Sequence, residues 1–156
     1  MTSGSGPESA STSAPRRRVG GRWRGGYRVE LVVRDGRFML ASDQGPEEGG
    51  DDTGPMPSEL LFSSVASCFA MAVAWSARKR RLALPDLDIV VSWGYDQAER
   101  RYDQIEIEAT SSLATAAPEQ FTALIHLAEE VCWVTRTIRG GMPIAVRAVA
   151  RETGPG

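Results

Sequence analysis

The feature that most constrains this chain is an apolar run from Leu60 to Trp75, LLFSSVASCFAMAVAW, followed by the basic Arg78-Lys79-Arg80-Arg81. A helix apolar on every side must be covered on every side. The run is shorter than the roughly 20 residues a bilayer span requires. Ser63, Ser64 and Ser67 dilute it further. It therefore reads as a buried core helix, with Ser58 as its N-cap and a stop near Arg81 before Pro85. No membrane partner is expected. Covering such a helix needs chain, and 156 residues at 42% hydrophobic supply enough for one domain.

The flanking pattern is mixed. Arg28 to Arg34 and Arg37 to Ser42 alternate as strands around Asp35-Gly36, a hairpin dipeptide. Asp43 to Pro57 reads as a long acidic loop in which glycines and prolines forbid regular structure. Asp88 to Gly94 and Gln104 to Ala109 alternate again, as antiparallel strands do. Pro118 opens a second helix. Its apolar face carries Phe121, Leu124, Ile125, Ala128, Val131 and Cys132, and it ends at Gly140-Gly141. Met142 to Arg151 closes as a strand. The order ββαββαβ predicts an α+β fold with antiparallel sheets. Residues 1–20 are Ser/Gly/Pro-rich and read as a disordered tail, leaving 21–152 as a single domain.

Charge and chemistry narrow the function. A formal net charge of -2 lacks the basic surplus of a nucleic-acid binder. With one histidine, His126, and no CxxC or HxxxH spacing, no metal is expected. Glu47, Glu48, Asp51 and Asp52 lack the pattern of a calcium loop. Two cysteines are too few for a disulfide scaffold. Without a secretory signal they point to a reducing, cytoplasmic setting, as packing residues or a redox pair.

Cys68 shares a helical face with Leu61, Ser64, Val65, Met71, Ala72 and Trp75, and Cys132 points inward from the second helix. Chemistry at either sulfur needs the thiolate. An apolar wall opposes that form, so a cation should stand nearby, and arginine keeps its charge when partly buried. His126 lies off the face of Cys132. Trp75, Trp93 and Trp133 are anchors of the core or of a pocket.

GPMPSELLFSSVASCFAMAVAWSARKRRLAL resembles the central helix of the OsmC/Ohr family, in which a proline-rich loop, Glu-Leu-Leu and Ala-x-x-Cys lead into a long buried helix. The upstream Asp-Gly hairpin, the GGDDTGP loop and the downstream AEEVCWVTRTI are also similar. The resemblance spans roughly Gly21 to Ala150. It implies an intertwined homodimer with antiparallel sheets around two central helices. It also implies that a peroxidatic Cys68 and a resolving Cys132 reduce organic hydroperoxides without metal or bound cofactor, recharged by a dithiol such as a lipoyl group.

The resemblance further implies an arginine from the N-terminal strand region, for which Arg28 beside Gly25-Gly26 is the first candidate, and a glutamate that orients it. Here the chain departs from the peroxidases. The glutamate ten residues before the first cysteine is replaced by Ser58, and the nearest acid is Glu59, as in a divergent PxEL subgroup. Nine residues bring Glu59 half a turn off the face of Cys68, roughly 13 Å along the axis. Two functions are therefore expected: a thiol peroxidase using Cys68, Cys132, Arg28 and Glu59, or a dimer of the same fold that binds a small hydrophobic molecule.

Overall fold

The computed structural model describes residues 17–142, 144 and 146. The chain forms two compact units, Met1–Pro57 and Ser58–Gly156.

In the N-terminal unit three antiparallel strands, β1 (Val19–Trp23), β2 (Val29–Val33) and β3 (Phe38–Ser42), pair in the order β1-β2-β3. β1 was not expected, because its two glycines weaken the strand pattern. The β2–β3 turn has Asp35 and Gly36 at φ 54° and 93°, the mirror-image turn that hairpins favour. In this register Val19 faces Val33, Trp23 faces Val29, and Leu31 faces Leu40. One side of the sheet is therefore apolar: Val19, Trp23, Leu31, Val33, Phe38 and Leu40. The other side carries Arg24, whose guanidinium holds Glu30.

The long loop is less irregular than expected, since Pro46–Glu48 forms a 3-10 turn. Buried Asp43 anchors it by accepting from the Gln44 N–H at 2.9 Å, the Thr53 N–H at 3.2 Å and the Thr53 hydroxyl at 2.7 Å. Those bonds hold the Asp43 carboxyl below its usual range, the Thr53 hydroxyl contributing most.

The C-terminal unit is built on α1 (Pro57–Arg80). Its length and apolarity would suffice to cross a membrane, yet it packs as a core helix. One stripe is buried: Phe62, Val65, Phe69, Ala72, Val73, Ser76 and Ala77. Burial on all sides was expected, and the single chain does not provide it. Leu61, Met71 and Trp75 face solvent, Met71 at 68% exposure.

β4 (Asp88–Asp96) and β5 (Arg101–Thr110) form an antiparallel ribbon, longer than the alternation suggested, with an irregularity at Gly94/Tyr95. Trp93 stacks on Phe62 at 4.3 Å between ring centres, and Tyr102 meets Phe62 edge-on at 5.2 Å. Ser111 caps α2 (Ser112–Ala116) by accepting from the Leu113 N–H at 3.1 Å. α3 (Pro118–Val131) starts on its proline. Leu124, Ala128 and Cys132 complete a core with Phe69, Ala72, Val73 and Ala77.

The second helix was expected to continue to Gly140. It breaks at Cys132 and resumes as α4 (Trp133–Gly140). Val131, Val134, Thr135, Thr137 and Ile138 are β-branched and weaken continuous helix there. The closing strand expected over Met142–Arg151 falls largely outside the described residues. Met142, Ile144 and Val146 are described, are exposed and carry no strand. The class is α+β with antiparallel sheets, as expected.

Candidate active site

α1 carries Cys68 half-buried at its middle, on the boundary between the buried stripe and the open one. Cys132 occupies the corner between α3 and α4 and is only 1% exposed. It ends one helix and starts the next. Its N–H donates to the Ala128 carbonyl at 2.9 Å, while its own carbonyl accepts from the Arg136 N–H at 3.1 Å and the Thr135 hydroxyl at 3.2 Å.

Cys132 is thereby the N-cap of α4, and the first amides of a helix have no partner within it. Here they serve two sulfurs. The amides of Val134 and Trp133 favour a charged Cys68 and those of Thr135 and Val134 a charged Cys132, although none hydrogen-bonds the Cys132 side chain. The two thiols also act on each other, Cys132 raising Cys68 and Cys68 lowering Cys132. Both cysteines are free.

The surroundings treat the two unequally. Burial pushes the Cys68 thiol up, and the neighbouring Cys132 adds to the rise, outweighing the amides of Val134 and Trp133. Burial also opposes ionisation of Cys132, but the Thr135 hydroxyl and amide, the Cys68 thiol and the Val134 amide together bring it below the ordinary cysteine value. Positive helix ends favour thiolates in the same way. At rest, Cys132 is the more acidic of the pair.

Both sulfurs line an open cavity of about 510 Å³. Met71, Trp75, Val131 and Trp133 make its apolar wall, and Glu130 and Arg136 add charge. Arg136 Nη1 donates to the Glu130 carbonyl at 3.3 Å.

Of the four residues singled out from sequence, the structure brings Cys68 and Cys132 together. Glu59 lies in the first turn of α1, two and a half turns from Cys68, and is absent from the cavity lining. Arg28 is exposed in the N-terminal unit, where its N–H closes the turn onto the Gly25 carbonyl at 3.0 Å. His126 is a surface residue, 3.5 Å from Glu129. The sequence reading missed Thr135, Arg136 and the α4 amides. The β-branched run around and after Cys132 was the available signal for a break in the helix there.

A family model described as OsmC-like protein matches residues 49–147. The chain belongs to the OsmC-like protein family. Three solved structures share the fold of this OsmC-like chain. An organic hydroperoxide resistance protein, OsmC, of Legionella pneumophila is 22% identical, with a TM-score of 0.68 over 83% of this chain and 93% of that one. An OsmC-like protein of Mycoplasma pneumoniae is 13% identical, with a TM-score of 0.68 over 82% and 90%. The organic hydroperoxide resistance protein OhrB of Bacillus subtilis is 20% identical, with a TM-score of 0.60 over 80% and 91%. At these identities the likeness is one of fold. No curated protein matches the chain.

Proposed function

We propose that the protein is a thiol-dependent peroxidase that reduces organic hydroperoxides through Cys68 and Cys132. The observation that carries this reading is the meeting of two free cysteines at the apolar wall of an open cavity, beside the start of α4. Two of the structural relatives are named organic hydroperoxide resistance proteins.

The resting polarity of the pair suits this chemistry. Cys68 is the more accessible sulfur, and Cys132, the more acidic of the two, accepts the Cys68 proton once it has ionised. Once deprotonated, Cys68 attacks the terminal peroxide oxygen. The O–O bond breaks, the alkoxide leaves as alcohol with the proton held by Cys132, and Cys68 becomes a sulfenic acid. The Cys132 thiolate then attacks the Cys68 sulfur. The S–O bond breaks, hydroxide leaves and a disulfide forms. A dithiol, of lipoyl or similar type, returns the pair to thiols. The α4 amides favour charge on each sulfur. Arg136, which lines the same cavity, is the candidate for a supporting cation.

The working form is a homodimer in the cytoplasm. Two free cysteines suit a reducing compartment. The open apolar sides, Val19, Trp23, Phe38 and Leu40 on the sheet and Leu61, Met71 and Trp75 on α1, are surfaces that soluble monomers avoid. A second reading, a dimer that binds a small hydrophobic molecule, is favoured by the aromatic cavity wall and by the raised Cys68 thiol.

One equivalent of cumene hydroperoxide separates the two. The peroxidase forms an intramolecular Cys68–Cys132 disulfide, Cys132→Ser stops at a sulfenic acid on Cys68, and Cys68→Ser consumes no peroxide. Two free thiols after excess peroxide would leave only the binding module.

A further inference from the structure

A disulfide between two cysteines can be opened from either end, and the choice fixes which residue carries the reductant. Two properties decide it: which sulfur the attacking thiol reaches, and which sulfur leaves better as thiolate. In this chain both select the same direction. Cys68 is half-buried on the wall of an open cavity, while Cys132 is 1% exposed at the α3–α4 corner. Cys132 also has the better-furnished exit. As the N-cap of α4 it sits at the positive end of that helix, and the Thr135 hydroxyl, which donates to its carbonyl at 3.2 Å, also lowers its thiol.

The geometry points to a one-directional reductive step, in which a small thiol attacks the Cys68 sulfur, Cys132 leaves as the thiolate, and Thr135 is the residue that positions that leaving group. This rests on the redox-pair reading above and adds the order of events within it. The incoming thiolate forms a bond to Cys68 Sγ, the Sγ–Sγ bond breaks, and its electron pair goes to Cys132 Sγ. A dithiol then closes on itself: its second thiolate attacks the sulfur already bound to Cys68, a cyclic disulfide departs, and Cys68 leaves as thiolate and takes up a proton. The dithiol is oxidised by two electrons and the protein pair is reduced by two. A monothiol cannot close in this way and stalls as a mixed disulfide on Cys68. Val131 and Trp133, which flank Cys132 in the chain, line the same cavity, so the attacking thiol passes along this wall to Cys68.

The test uses the full chain without peroxide, so that it stands apart from peroxidase activity. Diamide bridges the two thiols and is itself reduced to the hydrazine. A small excess of 2-mercaptoethanol is then added, the mixture is quenched in acid within seconds, free thiols are blocked with N-ethylmaleimide, and the two cysteine peptides are mapped. The expected result is mercaptoethanol on Cys68 and maleimide on Cys132. Mercaptoethanol on Cys132, an even split, or failure of diamide to bridge the pair overturns the proposal. A chain that gives the expected map yet ignores cumene hydroperoxide loses the peroxidase reading while keeping this order of exchange. Thr135→Val, which keeps the shape and removes the hydroxyl, slows mercaptoethanol opening and moves the pH midpoint of Cys132 alkylation in the reduced chain upward. Thr135→Ser restores both. An unchanged midpoint in Thr135→Val removes the positioning role from Thr135.

Discussion

The two units of this chain are stabilised by different means. In the C-terminal unit, Val65, Val73, Leu124 and Ala128 are wholly buried, and the core reaches Cys132 without a gap. In the N-terminal unit the described buried residues are Ser42 and Asp43, both polar. Its strands are held by register, by two turns and by the Asp43 anchor, while Trp23 on its apolar side stays 71% exposed. A sheet with one apolar side is half of a sandwich. The cysteine pair therefore sits in the unit that has a continuous apolar core, while the described residues of the other unit form none.

The sharpest way to break this comparison is to cut both units alike. Leu124→Ala should lower unfolding stability by about 2–5 kcal/mol, the usual cost of a large core truncation. Leu40→Ala, at an open position, should change the dilute monomer by no more than about 0.5 kcal/mol. Denaturant titration at low protein concentration reads both. Equal losses would mean that the sheet side is already covered within one chain.

A second experiment changes the sheet side from apolar to charged. Trp23→Asp should turn a dimer into a monomer in sedimentation at micromolar concentration, while leaving the Cys68–Cys132 bridge that diamide forms. Wild-type stability should rise with protein concentration, as association linkage requires, and that of Trp23→Asp should not. A wild-type chain that sediments as a stable monomer would end the homodimer proposal.

How much of this was legible in the sequence follows the same division. Local, periodic signals carried well: the apolar run gave α1, Asp35-Gly36 gave the hairpin, and Pro118 gave the start of α3. Weak or opposing local signals did not. The glycines of β1 hid a strand whose evidence is its pairing with β2. The break at Cys132 was hidden by a face that stayed apolar through it, although the β-branched run beyond argued against continuous helix. The site was half legible for the same reason. Cysteine identity and spacing named the pair, but the groups that make the two unequal are backbone amides and a threonine, which no residue pattern displays.

The smallest expected effect isolates the polar anchor of the N-terminal unit. Asp43 titrates below its unfolded value because its folded carboxylate accepts first from the Thr53 hydroxyl and then from the Gln44 and Thr53 amides, against a burial effect that raises it. A depressed carboxyl stabilises the fold above its unfolded value, roughly 3.9 for aspartate, and that contribution fades as pH falls toward the folded value. Lowering the pH through the range below 4 should therefore loosen the Asp43–Thr53 loop before it touches the apolar core. Hydrogen exchange at the Gln44 and Thr53 amides, corrected for the intrinsic pH dependence, should lose protection there, while Leu124 and Ala128 keep theirs. Asp43→Asn retains an acceptor oxygen but has no charge to titrate, so its loop should be weaker at neutral pH and indifferent to the same acid step. Loss of protection at Leu124 together with Thr53 would show that the two units open as one, and the contrast between them would then be one of composition and not of stability.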